Sequence, residues 1–138
     1  MTIEKIVAIS GKPGLFEILS HSKGGLIVRS LIDNKRFPVN AMQNVSVLSD
    51  IAIYTYEEEV PLRTIFMNIA EKENGKETIS HKESNDTLLS FMSEVLPNYD
   101  DERVYASNVK KIVQWYNILV NAKFDFSTLE EKEETTEE

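Results

Sequence analysis

Few residues in this chain have the type and spacing that chemistry requires. Gly11-Lys12-Pro13-Gly14 is the one cluster that joins glycine to lysine. A phosphate-cradling loop needs G-x-x-x-x-G-K-[ST] between a strand and a helix, so that consecutive amides point at the phosphates. Here the order differs, and the Leu15-Phe16-Glu17-Ile18-Leu19 that follows reads as a strand, which makes the cluster a turn. His21 and His81, the two histidines, stand near turn signals and lack the helical spacing of a zinc site. Asn98, Asp100 and Glu102 alternate like the first ligands of a calcium loop. Arg103 and Val109, however, occupy the places where that loop needs glycine and a bidentate glutamate. No G-x-S-x-G elbow marks a serine, and the absence of cysteine removes thiolate nucleophiles, thiolate ligands and disulfides. The expectation is a non-enzyme with no catalytic residues, metal or cofactor.

Binding is better represented. Lys12, Lys23, Lys35 and Arg36 fall at predicted turns, Arg29 lies on a predicted strand, and Phe16 and Phe37 are close to them in sequence. Small β domains use such charges and aromatics as platforms for peptides or RNA. These seven residues are the candidate binding set. The partner expected is a protein or peptide recognised by the loops of the β domain. The alternative is RNA or a ribosomal surface met through the same basic face. Net charge is −8, but residues 1–41 carry +3 and the remaining 97 carry −11. The acidic total argues against general affinity for nucleic acid, while the basic front end keeps local affinity open.

The elements that must hold these residues change character along the chain. Ile6, Val7 and Ile9, then Leu15 to Leu19, Leu26 to Ile32, and Arg36-Phe37-Pro38-Val39 read as short strands separated by glycine and polar turns. Pro38 cannot donate a ladder hydrogen bond, so the strand that holds it belongs at an edge. Val45 and Val47, followed by Ile51 to Tyr54, complete the β region, and a small closed barrel would remove its exposed edges. Glu57-Glu58-Glu59 marks a solvated junction, after which Pro61 suits the first position of a helix. Leu62, Ile65, Phe66 and Ile69 form a helical stripe that Asn74-Gly75 ends. A second stripe, Leu88, Phe91, Met92 and Val95, can be capped by Ser84, Asn85 or Asp86 and stops at Pro97. The third runs through Val109, Ile112, Val113, Tyr116, Leu119 and Val120, with Trp115 at its margin and Ser107 as its candidate cap. From Ser127 onward one apolar residue remains among glutamates, which predicts a disordered acidic tail.

Taken together, Lys5 to Phe16, Arg36-Phe37-Pro38, Asp50-Ile51-Ala52-Ile53-Tyr54, Glu59-Val60-Pro61-Leu62 and Val109 to Asn117 resemble a Bacteroidetes family of domain-of-unknown-function proteins. The resemblance covers nearly all of the chain before the tail. It implies an N-terminal SH3-like or Tudor-like β domain and a small helical C-terminal domain, and it brings no activity, substrate or site residue.

The fold expected is therefore α+β, an SH3-like antiparallel barrel over 1–57, a three-helix region over 58–126, and an acidic tail over 127–138. Ile27, Val28, Ile53, Phe66, Phe91, Ile112 and Tyr116 are expected in the core. The N-terminus lacks a basic leader with a long apolar run, and no apolar stretch approaches the ~20 residues of a membrane span. A cytoplasmic protein without a membrane partner is the expectation. On that basis the sites Asn44-Val45-Ser46 and Asn85-Asp86-Thr87 are chance glycosylation matches.

Overall fold

A computed structural model of the chain describes residues 3–12, 14–40, 44–124 and 126. The predicted tail, 127–138, lies outside them. A short 3-10 turn over Ile3–Lys5 leads into β1 (Ile6–Ile9). Next come β2 (Phe16–Ser22), β3 (Gly25–Ser30) and β4 (Arg36–Asn40) as an antiparallel meander, and β5 (Val45–Val47) returns to pair with β1. The order across the sheet is β4-β3-β2-β1-β5. Among the described residues no ladder joins β4 to β5, so backbone pairing does not close the sheet into a barrel. Gly14, just before β2, sits at φ +90°, and a Cβ there would lie 2.7 Å from the Ile32 side chain. The left-handed φ favours glycine at that bend, while the exposed Ile32 methyl could swing aside for a Cβ.

Period-two alternation gives this sheet two buried faces. Val7, Ile9, Phe16, Val28 and Val39 point to one side and form a small core of their own, flanked by Ile18, Phe37, Val45 and Val47. Ile6 and Ala8 point the other way, against the helices. Val28 is fully buried while Ile27 is only half-buried, a correction to the expected core. Neighbours on one strand face opposite sides, so Ile27 lies on the face away from Val28, across from the edge residue Pro38. A register shift between Ile18 and Ser20 adds a bulge that leaves Leu19 exposed.

The segment after β5 departs from the expected closure. A second 3-10 turn, Leu48–Asp50, is followed by β6 (Ala52–Tyr54), which pairs with β7 (Glu59–Pro61) in a separate two-stranded sheet. An apolar run identifies a strand but not its partner. The partner here is the nearest extended segment, reached through a turn in which Thr55 Oγ1 accepts the N–H groups of Glu57 and Glu58 at 3.1 and 2.9 Å. Pro61 consequently ends β7 and serves as N-cap, with α1 (Leu62–Glu73) starting one residue later than expected.

Asn74 at φ 58° and Gly75 at φ 77° terminate α1, with the Gly75 N–H on the Ala70 carbonyl at 2.8 Å. Ser84 caps α2 (Asn85–Val95) by accepting the Thr87 N–H. The longest helix, α3 (Ala106–Asn121), begins before the expected cap Ser107, because Asn108 reaches back to accept the Tyr105 N–H at 2.8 Å. The main core gathers Leu62, Ile65, Phe66, Leu88, Phe91, Met92, Ile112 and Tyr116 with Ile3, Ile6, Leu15, Leu31 and Leu48 from the β region. Ile53 is buried in the same cluster. The protein is thus α+β, with a five-stranded antiparallel sheet packed on three helices.

Candidate functional site

A cleft of about 830 Å³ opens between the sheet and α3. Its floor is apolar, made by Ile51, Ile53, Leu62 and Ile112. One wall is the end of β1 and the turn after it, Ala8 to Lys12, together with Asn44, Val45 and Ser46 at β5. The other is α3, which contributes Asn108, Lys111, Gln114 and Trp115. Positions 108, 111, 112 and 115 share one stripe of a 3.6-residue helix, so a single helix face presents an amide, a cation, an apolar contact and an indole. The Ser10 N–H donates to the Asn44 carbonyl at 2.9 Å and the Lys12 N–H to the Ile9 carbonyl at 3.0 Å, which holds the sheet-side wall.

The polar groups of the cleft have one sign. The chain contains 23 acidic residues, yet none lines this cleft among the described residues, where Lys12 and Lys111 are the charged groups. Lys111 is exposed and makes no ion pair among the described residues. Lys12 places its ammonium 5.1 Å from the centre of the Phe37 ring. Serine hydroxyls and three amide side chains, from Asn44, Asn108 and Gln114, supply donors and acceptors between the lysines.

The seven residues singled out from sequence are dispersed. Lys12 alone lines the cleft. Phe16 is buried, and Phe37 packs edge-on against it with ring centres 5.5 Å apart, so this pair builds the small core behind Lys12. Arg29 lies on the opposite sheet face, bonded to Glu17 at 2.6 Å and to Asn34 at 2.7 Å. Arg36 pairs with Arg29 across β3 and β4, and Lys35 is exposed in the turn before it. Lys23 occupies the tip of the β2–β3 hairpin, at the other end of these strands. The residues that sequence reasoning missed are Asn44, Ser46, Asn108, Lys111 and Gln114. The available signal was the polar stripe Asn108-Lys111-Trp115 running beside the apolar stripe of the same helix.

A second, smaller cleft of about 320 Å³ has the opposite character. Tyr54, Tyr56, Glu57, Glu58, Glu59 and Asp100 line it, with Arg103 as the cation among its described lining residues. The Arg103 guanidinium lies 4.9 Å above the Tyr54 ring and 3.5 Å from the Asp100 carboxylate. Tyr56 donates its hydroxyl to Asp101, and that bond holds the phenol's pKa above its usual value. Asp100 also accepts the Glu102 N–H at 3.0 Å, which places the alternating acidic residues in a turn. Among the described residues no group of three or more His, Cys, Asp or Glu is placed to hold a metal ion. His21 lies exposed on β2 and His81 half-buried in a turn, and neither lines these two clefts. No helix of the described residues is long and apolar enough to cross a membrane.

Residues 3–48 match the family described as Domain of unknown function (DUF5606), and residues 51–119 match Domain of unknown function (DUF6852). Comparison with the curated proteins yields no match. Among solved structures, the chain is similar to a protein from Bacteroides vulgatus determined by solution NMR for a structural genomics consortium. The two share 43% identity over 90% of this chain and 89% of that one, with a TM-score of 0.75.

Proposed function

The chain belongs to the Bacteroidetes family in which DUF5606 and DUF6852 follow one another, and we propose that it is a non-catalytic binding module. Its cleft holds an anionic segment of a protein partner between the sheet and α3. The observation that carries this reading is the composition of the cleft, whose lining among the described residues of a chain of net charge −8 holds two lysines and no acidic side chain. An apolar floor beside a few oriented polar groups is the usual build of a recognition site. Lys111 shares its helix face with Ile112 and Trp115, Lys12 lies over the Phe37 ring, and the described lining holds no histidine or carboxylate to act as a base, which supports binding over catalysis. The order of the sheet, a four-stranded meander whose fifth strand returns beside the first around a core of its own, supports an SH3-like relationship. A cysteine-free composition accords with action in the cytoplasm.

The test uses capped peptides with glutamate at every second position and mixed apolar residues between. Lys111 is exposed on α3, so Lys111→Glu leaves the core untouched. It should weaken binding of these peptides about tenfold at low salt, the scale of reversing a solvent-facing charge. The difference should shrink as ionic strength rises past 0.1 M, where the Debye length is ~10 Å. Unchanged affinity in Lys111→Glu would reject the cleft as the site. A second reading, RNA or ribosome-associated binding, draws on Trp115, whose indole beside Lys111 suits base stacking. Tighter binding of single-stranded RNA than of any peptide, lost in Trp115→Ala, would favour that reading.

A further inference from the structure

The sheet has two edges, and they are built differently. β4, at one edge, opens with Arg36 and carries Pro38, which has no N–H to offer. Charge and proline are among the devices by which natural edges refuse further strands, short length being another. β5, at the other edge, reads Val45-Ser46-Val47, two β-branched residues around a serine, with neither charge nor proline. Its ladder to β1 pairs Val47 with Val7, Ser46 with Ala8 and Val45 with Ile9. Among the described residues, no backbone–backbone hydrogen bond outside that ladder reaches these three residues. The open edge is also the strand that contributes to the wall of the lysine-bearing cleft.

We infer that the occupant of the cleft is an extended acidic peptide that adds to β5 as a sixth strand. This rests on the reading of the cleft as a site for an anionic protein segment, and it states how that segment is held. An added strand gains affinity from main-chain hydrogen bonds, and alternate side chains then sample separate surroundings. Residues of one parity lie against the apolar floor of Ile51, Ile53 and Ile112 and the Trp115 indole. Carboxylates on that same face meet Lys111 beside the indole, while residues of the other parity face the side on which the Lys12 ammonium lies over the Phe37 ring. The charge pattern selects this occupant: a basic strand would be repelled by both lysines, and a second copy of the chain would bring β5 edges that lack acidic groups.

Strand addition has a signature that binding by side chains alone does not share. Successive backbone N–H groups of a strand point to opposite sides, so only alternate amides of the peptide face β5. Two analogues of a bound glutamate-alternating peptide distinguish the modes, one N-methylated at its odd residues and one at its even residues. Methylation of one set should reduce affinity at least about tenfold, from two or more lost hydrogen bonds. Methylation of the other set should change it less than about threefold. Losses of similar size for both analogues, or none for either, would overturn strand addition while leaving the cleft reading intact, provided Lys111→Glu still weakens the parent peptide. Failure of every parent peptide to bind at low salt would overturn the cleft reading and the strand mode together. The protein is unaltered in this comparison, so loss of folding cannot imitate the result.

Discussion

Tyr116 shows what a single residue does when two distant segments meet on it. Its ring is buried between Phe66 and Phe126, with centroids at 6.4 and 5.1 Å, and its hydroxyl donates to the Lys76 carbonyl at 2.8 Å. Burial first, and then the negative charge of Glu73, pushes the phenol from 10.0 up to about 12. The folded chain therefore keeps this proton at a pH where an unfolded tyrosine gives it up. The stabilisation is whole below pH 10 and is lost as the pH climbs from 10 through about 12. Denaturant titrations across that window should show wild-type stability falling more steeply than that of Tyr116→Phe. The variant should start about 1 kcal/mol lower at neutral pH for the lost hydrogen bond. Parallel pH profiles for the two proteins would show that Tyr116 does not titrate with unfolding. The burial of Tyr116 is legible from the spacing of the α3 stripe. Its bond to Lys76 is not, because that partner lies 40 residues away on a loop whose path depends on the fold.

Helices and strands were legible to different degrees, and the difference follows from where their contacts lie. Each helix announces its buried face by local period, and the faces centred on Phe66, Phe91 and Ile112 are buried. Truncating Phe66 or Phe91 to alanine should destabilise the protein by about 3–5 kcal/mol in chemical denaturation, since both side chains fill the main core. A loss below about 1 kcal/mol at both positions would show that these faces bear little of the packing. Strands announce themselves by β-branched residues and turns, but a strand's partner is a tertiary fact. Thus β1 to β5 fall where the apolar runs stand, while Ile51 to Tyr54 went to β7 instead of completing the first sheet. Local side-chain bonds decided the remaining boundaries. Thr55 built the β6–β7 turn, and Asn108 moved the start of α3 ahead of Ser107.

At the scale of the molecule the main core crosses between the β and helical regions. Ile3, Ile6, Leu15, Leu31 and Leu48 lie in the same apolar cluster as the side chains of all three helices. The small sheet core of Val7, Ile9, Phe16, Val28 and Val39 is the other cluster. A segment of some fifty residues left with that small core alone would expose Ile6, Leu15 and Leu48 to water and lose most of its burial. Heating the intact protein should therefore give one main transition. A 1–57 fragment should lack dispersed amide resonances and a cooperative melt. Two well-separated transitions, or a well-folded fragment, would show that the regions are energetically independent.

Sequence by itself determined the local and the periodic: the helical stripes, the Asn74-Gly75 stop, the Ser84 cap, the edge position of the Pro38 strand and the failure of each catalytic or metal motif. These depend on neighbours within a few residues, and such neighbours are present in the sequence. Tertiary structure alone decided which basic residues share a surface. Lys12, Lys23, Lys35 and Arg36 look alike as charged turn residues, yet the meander sends Lys23 to one end of its strands and sets Arg29 and Arg36 together at the other, away from the cleft lining. Packing α3 beside β1 and β5 then sets Lys111 and Lys12 in the same cleft, 99 positions apart in the chain. Charge at a turn carries no period that sequence could reveal. Its meaning comes from where the burial of apolar faces leaves it.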